Sequence, residues 1–238
     1  ILKNTPLEHD IKQIQERIDE ETLSEMGEVK FDRDGDYRTL TPREIEGLMA
    51  QQTTDTPQGI RDILILGFML CAGLRESEII ALTVQDIDLS SWKVRIPEVP
   101  GGIERTVPIS DKFFFGNQWL QQFIERHIRK LELEDSSSLV QSYWRGGKTI
   151  RSEKFSLRGI QEMLAGITVG EGKTAWSPTT LAYRRTYARN LYRSGVKAKN
   201  LQEYLGVTRN TLMARYIGPP EQNRYARVID PDKLPRLS

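Results

Sequence analysis

The sequence predicts a mainly helical domain that carries a small antiparallel β-sheet, an α+β fold. Apolar residues recur at helical spacing through most of residues 41–216, and the period drops to 2 only over 92–96 and 103–109. Neither internal repeats nor low-complexity tracts break this pattern. With 238 residues, 38% hydrophobic and 28% charged, the chain can bury one large core or two small ones, which removes fibrous and wholly disordered classes. The longest apolar stretch, 63–72, is ten residues, half of the roughly 20 that a membrane-spanning helix needs. No membrane partner is expected, and the acidic start with Glu8 and Asp10 does not read as a signal peptide. The one cysteine, Cys71, excludes an intrachain disulfide and, with only His9 and His127, a Cys/His zinc cluster. A reducing, cytoplasmic compartment is the expectation.

Residues 7–26 place Leu7, Ile11, Ile14, Ile18 and Leu23 at helical spacing, and a polar, charged linker follows over 27–38. A boundary falls there, giving an N-terminal helix and linker over 1–38, a main domain over 39–218 and an extended tail over 219–238 broken by Pro220, Pro231 and Pro235. Thr41-Pro42-Arg43-Glu44 is a helix start: Thr41 caps, Pro42 suits the first helical position and Glu44 closes a capping box. A helix over 59–72, apolar on nearly all sides, belongs in the core and ends at Gly73. A short helix over 76–82 precedes the strands, in which Trp92, Val94 and Ile96 alternate with Lys93 and Arg95, and the pattern resumes after a Pro/Gly turn at 97–102. Helices over 119–133, 155–164, 178–193, 201–205 and 208–216 complete the domain.

Charge is distributed unevenly. Between Gln141 and Val228 there are 16 Lys and Arg against 5 Asp and Glu, in a chain whose total is only +1. A basic, Arg-rich segment with interleaved Tyr and Trp favours a polyanionic partner, nucleic acid above all. Within it, Arg145 and Lys148 sit in an expected flexible basic loop, and Ser156, Arg158 and Gln161 lie at a helix start, where backbone N–H groups favour phosphate. Each of these also reads as plain solvated surface.

No metalloprotease, phosphate-loop, dinucleotide-binding or Ser/His/Asp signature is present. Arginines stand out instead. Arg75 sits between two helices, where its guanidinium can grip a phosphate bidentately or pair with Glu78 in a structural salt bridge. Arg185, Arg189 and Arg193 form one helical stripe, read as solvated or phosphate-contacting, while Arg184 points about 100° away toward the apolar face, a costly position without an anion or partner. Tyr216, four residues after Leu212, reads alone as a core or capping aromatic.

Taken in order, five stretches resemble the catalytic domain of the tyrosine recombinases, the phage-integrase family. These are 40–45 (LTPREI), 72–82 (AGLRESEIIAL), 104–109 (ERTVPI), 184–188 (RRTYA) and 201–206 (LQEYLG), the last ten residues before Tyr216. The likeness covers about three quarters of the chain. It implies a tyrosine-recombinase-like fold and site-specific DNA recombination or integration on double-stranded DNA, with Tyr216 as nucleophile and Arg75 and Arg184 as phosphate clamps. Because a phosphodiester is exchanged for a phosphotyrosine diester, it implies no cofactor. Lys173 and Arg209 join Arg145, Lys148, Ser156, Arg158, Gln161, Arg185 and Arg189 as expected DNA contacts. The resemblance further implies a homo-oligomer assembled on DNA through the C-terminal tail, with residues 1–38 as one reading of a remnant upstream DNA-clamping domain.

Three family positions are replaced. Pro100 and Ile103 stand where a hairpin lysine is usual, Leu181 where histidine precedes the second arginine, and Val207 where histidine or tryptophan follows the Leu-Gly pair. None of these can transfer a proton. Loss of a general acid or base typically costs about 10²- to 10⁴-fold. The alternative is therefore a recombinase-fold protein that binds DNA without cutting. A helical DNA-binding protein outside the family would be favoured only if the hairpin were missing.

Overall fold

The computed structural model describes residues 38–109, 119–144, 147–148, 150–172, 175–207 and 215–217. The expected helix over 7–26, the tail over 219–238 and the candidates Arg145, Lys173 and Arg209 lie outside the described residues. Helix α1 (Pro42–Ala50) opens with the expected capping box: the Thr41 hydroxyl oxygen accepts from the Glu44 amide, and Glu44 Oε2 accepts from the Thr41 amide at 2.7 Å. Its buried face is Ile45 and Leu48.

Helix α2 (Pro57–Cys71) starts two residues before the expected position, because Thr56 caps it and Pro57 occupies its first turn. It runs through the centre and packs on α4 (Trp119–Leu131) and α6 (Thr180–Arg193). Ile60, Leu64, Ile65, Leu66, Phe68, Met69 and Leu70 of α2 are fully buried, each such side chain contributing about 1.5–3 kcal/mol of hydrophobic stabilisation. Gly73 stops the helix in the left-handed region at φ 64°, and the Leu74 amide returns to the Phe68 carbonyl at 3.2 Å.

The apolar expectation for α2 needs one correction. Its first turns bury Arg61 and Asp62, which pair with each other at 2.6 Å. Arg61 also donates to the Gln141 carbonyl at 3.0 Å and lies 3.9 Å over the Phe155 ring, fastening the segment after α4 to the core. Burial pushes the Asp62 carboxyl up by more than the Arg61 charge draws it down.

After α3 (Glu76–Ala81) and a 3₁₀ turn at Val84–Asp86, strands β1 (Ile87–Asp88), β2 (Lys93–Ile96) and β3 (Arg105–Pro108) form an antiparallel sheet in that order. Val94 pairs with Ile87 and Val107, so the alternation seen in the sequence becomes one buried face with Lys93 and Arg95 outward. A second sheet, β4 (Ser142–Tyr143) with β5 (Ile150–Ser152), flanks the expected loop at 145–148, and its strands were not expected from the sequence. Strands of two and three residues are too short to show a period. Gly147 between them is buried, at φ 69°, and its carbonyl accepts from the Gln58 amide at 3.1 Å.

Helix α5 (Leu157–Ala165) is capped by Ser156 and packs on α3, and α7 (Ala198–Leu205) ends at left-handed Gly206. A second hydrophobic cluster joins α6, α7 and the helical turn at 215–217 through Tyr187, Leu191, Leu201, Leu205, Val207 and Ile217. That cluster seats the segment carrying Tyr216. Among the described residues, no helix is long and apolar enough to cross a membrane.

Candidate active site

Among the described residues, three arginines converge on one buried carboxylate, and one of them also meets a tyrosine. Glu78, on the first turn of α3, is fully buried, with Arg75 immediately before the helix, Arg105 from β3 and Arg184 from α6. Arg105 holds both carboxylate oxygens, at 2.7 and 3.0 Å, and also donates to the Tyr204 carbonyl at 2.8 Å. The Arg75 amide donates to Glu78 Oε2 at 2.7 Å, while the Arg75 and Arg184 guanidiniums stand farther off, at 3.9 and 3.7 Å from the carboxylate. Burial pushes the Glu78 carboxyl up, but the Arg105 hydrogen bonds and charge, the Arg75 amide and the Arg184 charge together leave it below the ordinary carboxylate range.

Both readings of Arg75 meet here. Its salt bridge to Glu78 is long, and its guanidinium instead donates to the Gly101 carbonyl at 2.6 Å and the Gly206 carbonyl at 3.2 Å. The side chain stays 29% exposed and so remains accessible to an anion. Arg184 is buried, as its direction on the helix predicts. It donates to the carbonyls of Gly73 and, at 2.9 Å, Leu205, and its Nη2 lies 3.4 Å from the Tyr216 hydroxyl. The Tyr216 ring centre is 5.3 Å from the same guanidinium. Burial draws the Arg184 guanidinium below its ordinary pKa, opposed by the attraction of Tyr216 and Glu78.

The arginine stripe expected on the surface is placed otherwise. Arg185 and Arg189 are buried: Arg185 donates to the Arg215 carbonyl at 2.6 Å and Arg189 to the Ile217 carbonyl at 3.1 Å. They bracket Tyr216 from both sides and hold its backbone against α6. A helical wheel shows which residues share a face, but not that residues 215–217 cover it. Arg193, at the end of the stripe, is half-buried.

The replaced positions hold apolar side chains in the fold. Val207 is buried in the second cluster, Leu181 is half-buried at the start of α6, and Ile103 is exposed beside the hairpin turn that contains Pro100. Lys93 points outward from β2, and Tyr183 is wholly buried, with burial pushing its hydroxyl above the usual phenol range.

Lys148, Ser156, Arg158 and Gln161 are exposed on the β4–β5 hairpin and the start of α5, where Arg158 pairs with Glu162 at 2.7 Å. The same surface carries Trp144, 57% exposed with Arg151 5.2 Å over its ring, and exposed Ile150 and Leu157. Sequence reasoning missed this aromatic, and it missed Arg105 and the central role of Glu78. A signal for Arg105 was present: it shares the inward side of β3 with Val107, two residues on, where a cation needs a partner.

The chain belongs to the phage integrase family, whose model matches residues 38–222. It is 30% identical over 167 residues to tyrosine recombinase XerC of Chlamydia pneumoniae, covering 70% of this chain and 50% of that protein. The chain thus spans about half the length of the curated relatives it matches. Among solved structures it is similar to XerA recombinase, with a TM-score of 0.58 and 18% identity over 79% of this chain and 65% of that one. A λ integrase dimer bound to a COC′ core site matches with a TM-score of 0.51 and 16% identity over 77% of this chain and 60% of that one. These two likenesses establish the fold, that of a mostly helical tyrosine-recombinase catalytic domain with small antiparallel sheets.

Proposed function

We propose that this chain is the catalytic part of a site-specific DNA recombinase that cuts and rejoins strands through Tyr216. The observation that carries the reading is the Tyr216 hydroxyl 3.4 Å from Arg184, inside a pocket where Arg75 is also part-exposed. The phenolic oxygen attacks a backbone phosphorus and the 5′ oxygen departs, taking a proton, to leave a 3′-phosphotyrosine and a free 5′-hydroxyl. Arg75 and Arg184 neutralise the non-bridging oxygens as charge builds on pentacoordinate phosphorus. Reversal with a new 5′-hydroxyl rejoins the strand, and the exchange of one diester for another needs no external energy source.

Double-stranded DNA is the partner in this reading, and the λ integrase dimer of similar fold is bound to a COC′ core site. Lys148, Ser156, Arg158, Gln161 and Trp144 supply a basic, aromatic surface for its backbone, and Arg145, Lys173 and Arg209 add further phosphate contacts. Residues 39–218 constitute the catalytic domain, residues 1–38 lead into it, and the tail over 219–238 contacts a neighbouring protomer on DNA. The site of action is DNA in the cytoplasm.

The replacements at Pro100, Leu181 and Val207 favour a second reading, a recombinase fold that binds DNA without cutting. One experiment separates the two. DNA bound by the protein is selected from a random-sequence pool, made into a nicked suicide duplex, incubated with the protein and examined for a denaturation-resistant adduct. The first reading expects an adduct that Tyr216→Phe abolishes while duplex affinity stays within about twofold. Salt-sensitive binding with no adduct selects the second.

A further inference from the structure

Glu78 poses a charge problem for the pocket just described. A buried carboxylate within 4 Å of Arg75 and Arg184 competes with a phosphate for the same guanidiniums, unless something else satisfies it. Arg105 does so. Its side chain is 8% exposed, it meets both carboxylate oxygens in a fork, and further bonds to the Tyr204 and Ile103 carbonyls fix its plane. The end of α7 is shaped around it: a Cβ at Gly206 would lie 2.8 Å from Arg105 Nη1 and 3.0 Å from its Cζ.

Three guanidiniums and one carboxylate leave two net positive charges. Attack by the Tyr216 phenol, its proton passing to solvent, turns a diester monoanion into a phosphorane dianion, so two positive charges match the transition state better than the ground state. Without Arg105 the pocket would hold one net charge, and Glu78 would draw Arg184 toward itself.

We propose that Arg105 is a positioning residue for strand cleavage, occupying Glu78 so that Arg75 and Arg184 are free to hold the phosphate. It acts through those arginines and Glu78, 27 residues away in sequence. The proposal rests on the recombinase reading above.

The test compares wild type, Arg105→Met, Arg105→Lys, Glu78→Gln and the double variant Arg105→Met/Glu78→Gln in the full chain. The first probe is inorganic vanadate, which adopts the five-oxygen geometry of the phosphorane, with binding followed by ⁵¹V NMR. Arg105→Met is expected to weaken vanadate binding about tenfold and to slow adduct formation on the nicked duplex about 100-fold, with duplex affinity little changed. Arg105→Lys restores part of both. The double variant, whose neutral amide in place of the carboxylate no longer competes for Arg184, recovers vanadate affinity to within about threefold of wild type. It also keeps the experiment readable if Arg105→Met alone fails to fold.

A purely structural Arg105 would leave the double variant no better than Arg105→Met, and that result overturns the proposal. So does wild-type vanadate affinity in a folded Arg105→Met protein, or a wild type that binds no vanadate. Vanadate affinities that follow the expected order while wild type forms no adduct uphold the charge division and refute strand cleavage instead.

Discussion

Two glycines, one in the core and one on an exposed helix face, provide a paired test of how closely the fold and the pocket are joined. Gly73 lies at φ 64°, and a Cβ there would stand 2.4 Å from Cδ1 and 2.8 Å from Cε1 of the Tyr187 ring. That ring is fully buried and cannot swing into solvent. Alanine in the left-handed region costs about 1–2 kcal/mol, and forcing a methyl into a packed ring adds about 1–3 kcal/mol. A loss of about 3 kcal/mol for Gly73→Ala corresponds to a melting temperature lower by roughly 6–12 °C in a domain of this size. Because the Gly73 carbonyl accepts from Arg184, Tyr216-dependent adduct formation should fall more than about tenfold even at temperatures where the variant is folded. Gly47 is the opposite case: it is exposed inside α1, and a Cβ there meets nothing within 4 Å. Gly47→Ala should raise stability by about 0.5–1 kcal/mol, through a smaller backbone entropy loss on folding. Differential scanning calorimetry reads both. A Gly73→Ala melting point within about 2 °C of wild type, or a fall for Gly47→Ala as large as that for Gly73→Ala, would refute the reasoning.

Two further perturbations probe the core under the hairpin and the seat of the tyrosine. Burial holds His127 down to about 4, opposed by its bond to the Leu139 carbonyl. The folded state therefore keeps the ring neutral while the unfolded chain protonates near 6.5, so the His127 contribution is present in full above pH 6.5 and is lost as pH falls toward 4. Between pH 7.5 and 5 that loss is on the order of 2 kcal/mol, and the unfolding free energies of wild type and His127→Gln from urea titration should diverge by that amount across the window, with parallel curves as the contrary result. Arg185→Met removes the donor to the Arg215 carbonyl and should slow adduct formation roughly tenfold or more through misplacement of Tyr216, while duplex affinity and its salt slope stay unchanged; a shallower salt slope would put Arg185 on DNA instead.

What the sequence made legible is what depends on neighbours along the chain. The capping box at Thr41 and Glu44, the glycine stop at 73 and the alternation of Val94, Ile96 and Val107 are local, and each reappears in the structure. The site was legible only as an ordered set. Arg75, Arg184 and Tyr216 are ordinary singly, and it is the fold that brings Arg184 to both the end of α2 and the tyrosine. The pairing of Glu78 with Arg105, the burial of Arg185 and Arg189 and the β4–β5 sheet all depend on what a distant segment places opposite a given face, which no periodicity encodes. Arg105, Arg185 and Arg189 share a placement: they hold Glu78 and the backbone beside Tyr216, next to the arginines proposed as phosphate clamps. A pocket that retains two clamps, a carboxylate, the arginine that occupies it and two arginines that seat the tyrosine has kept its electrostatics as a connected unit. Its proton-transfer positions, by contrast, hold Leu181 and Val207. Charge stabilisation and proton transfer are separable contributions to the same barrier, so under the proposed recombinase reading this arrangement predicts slow cutting, and under the second reading none, which the adduct assay distinguishes.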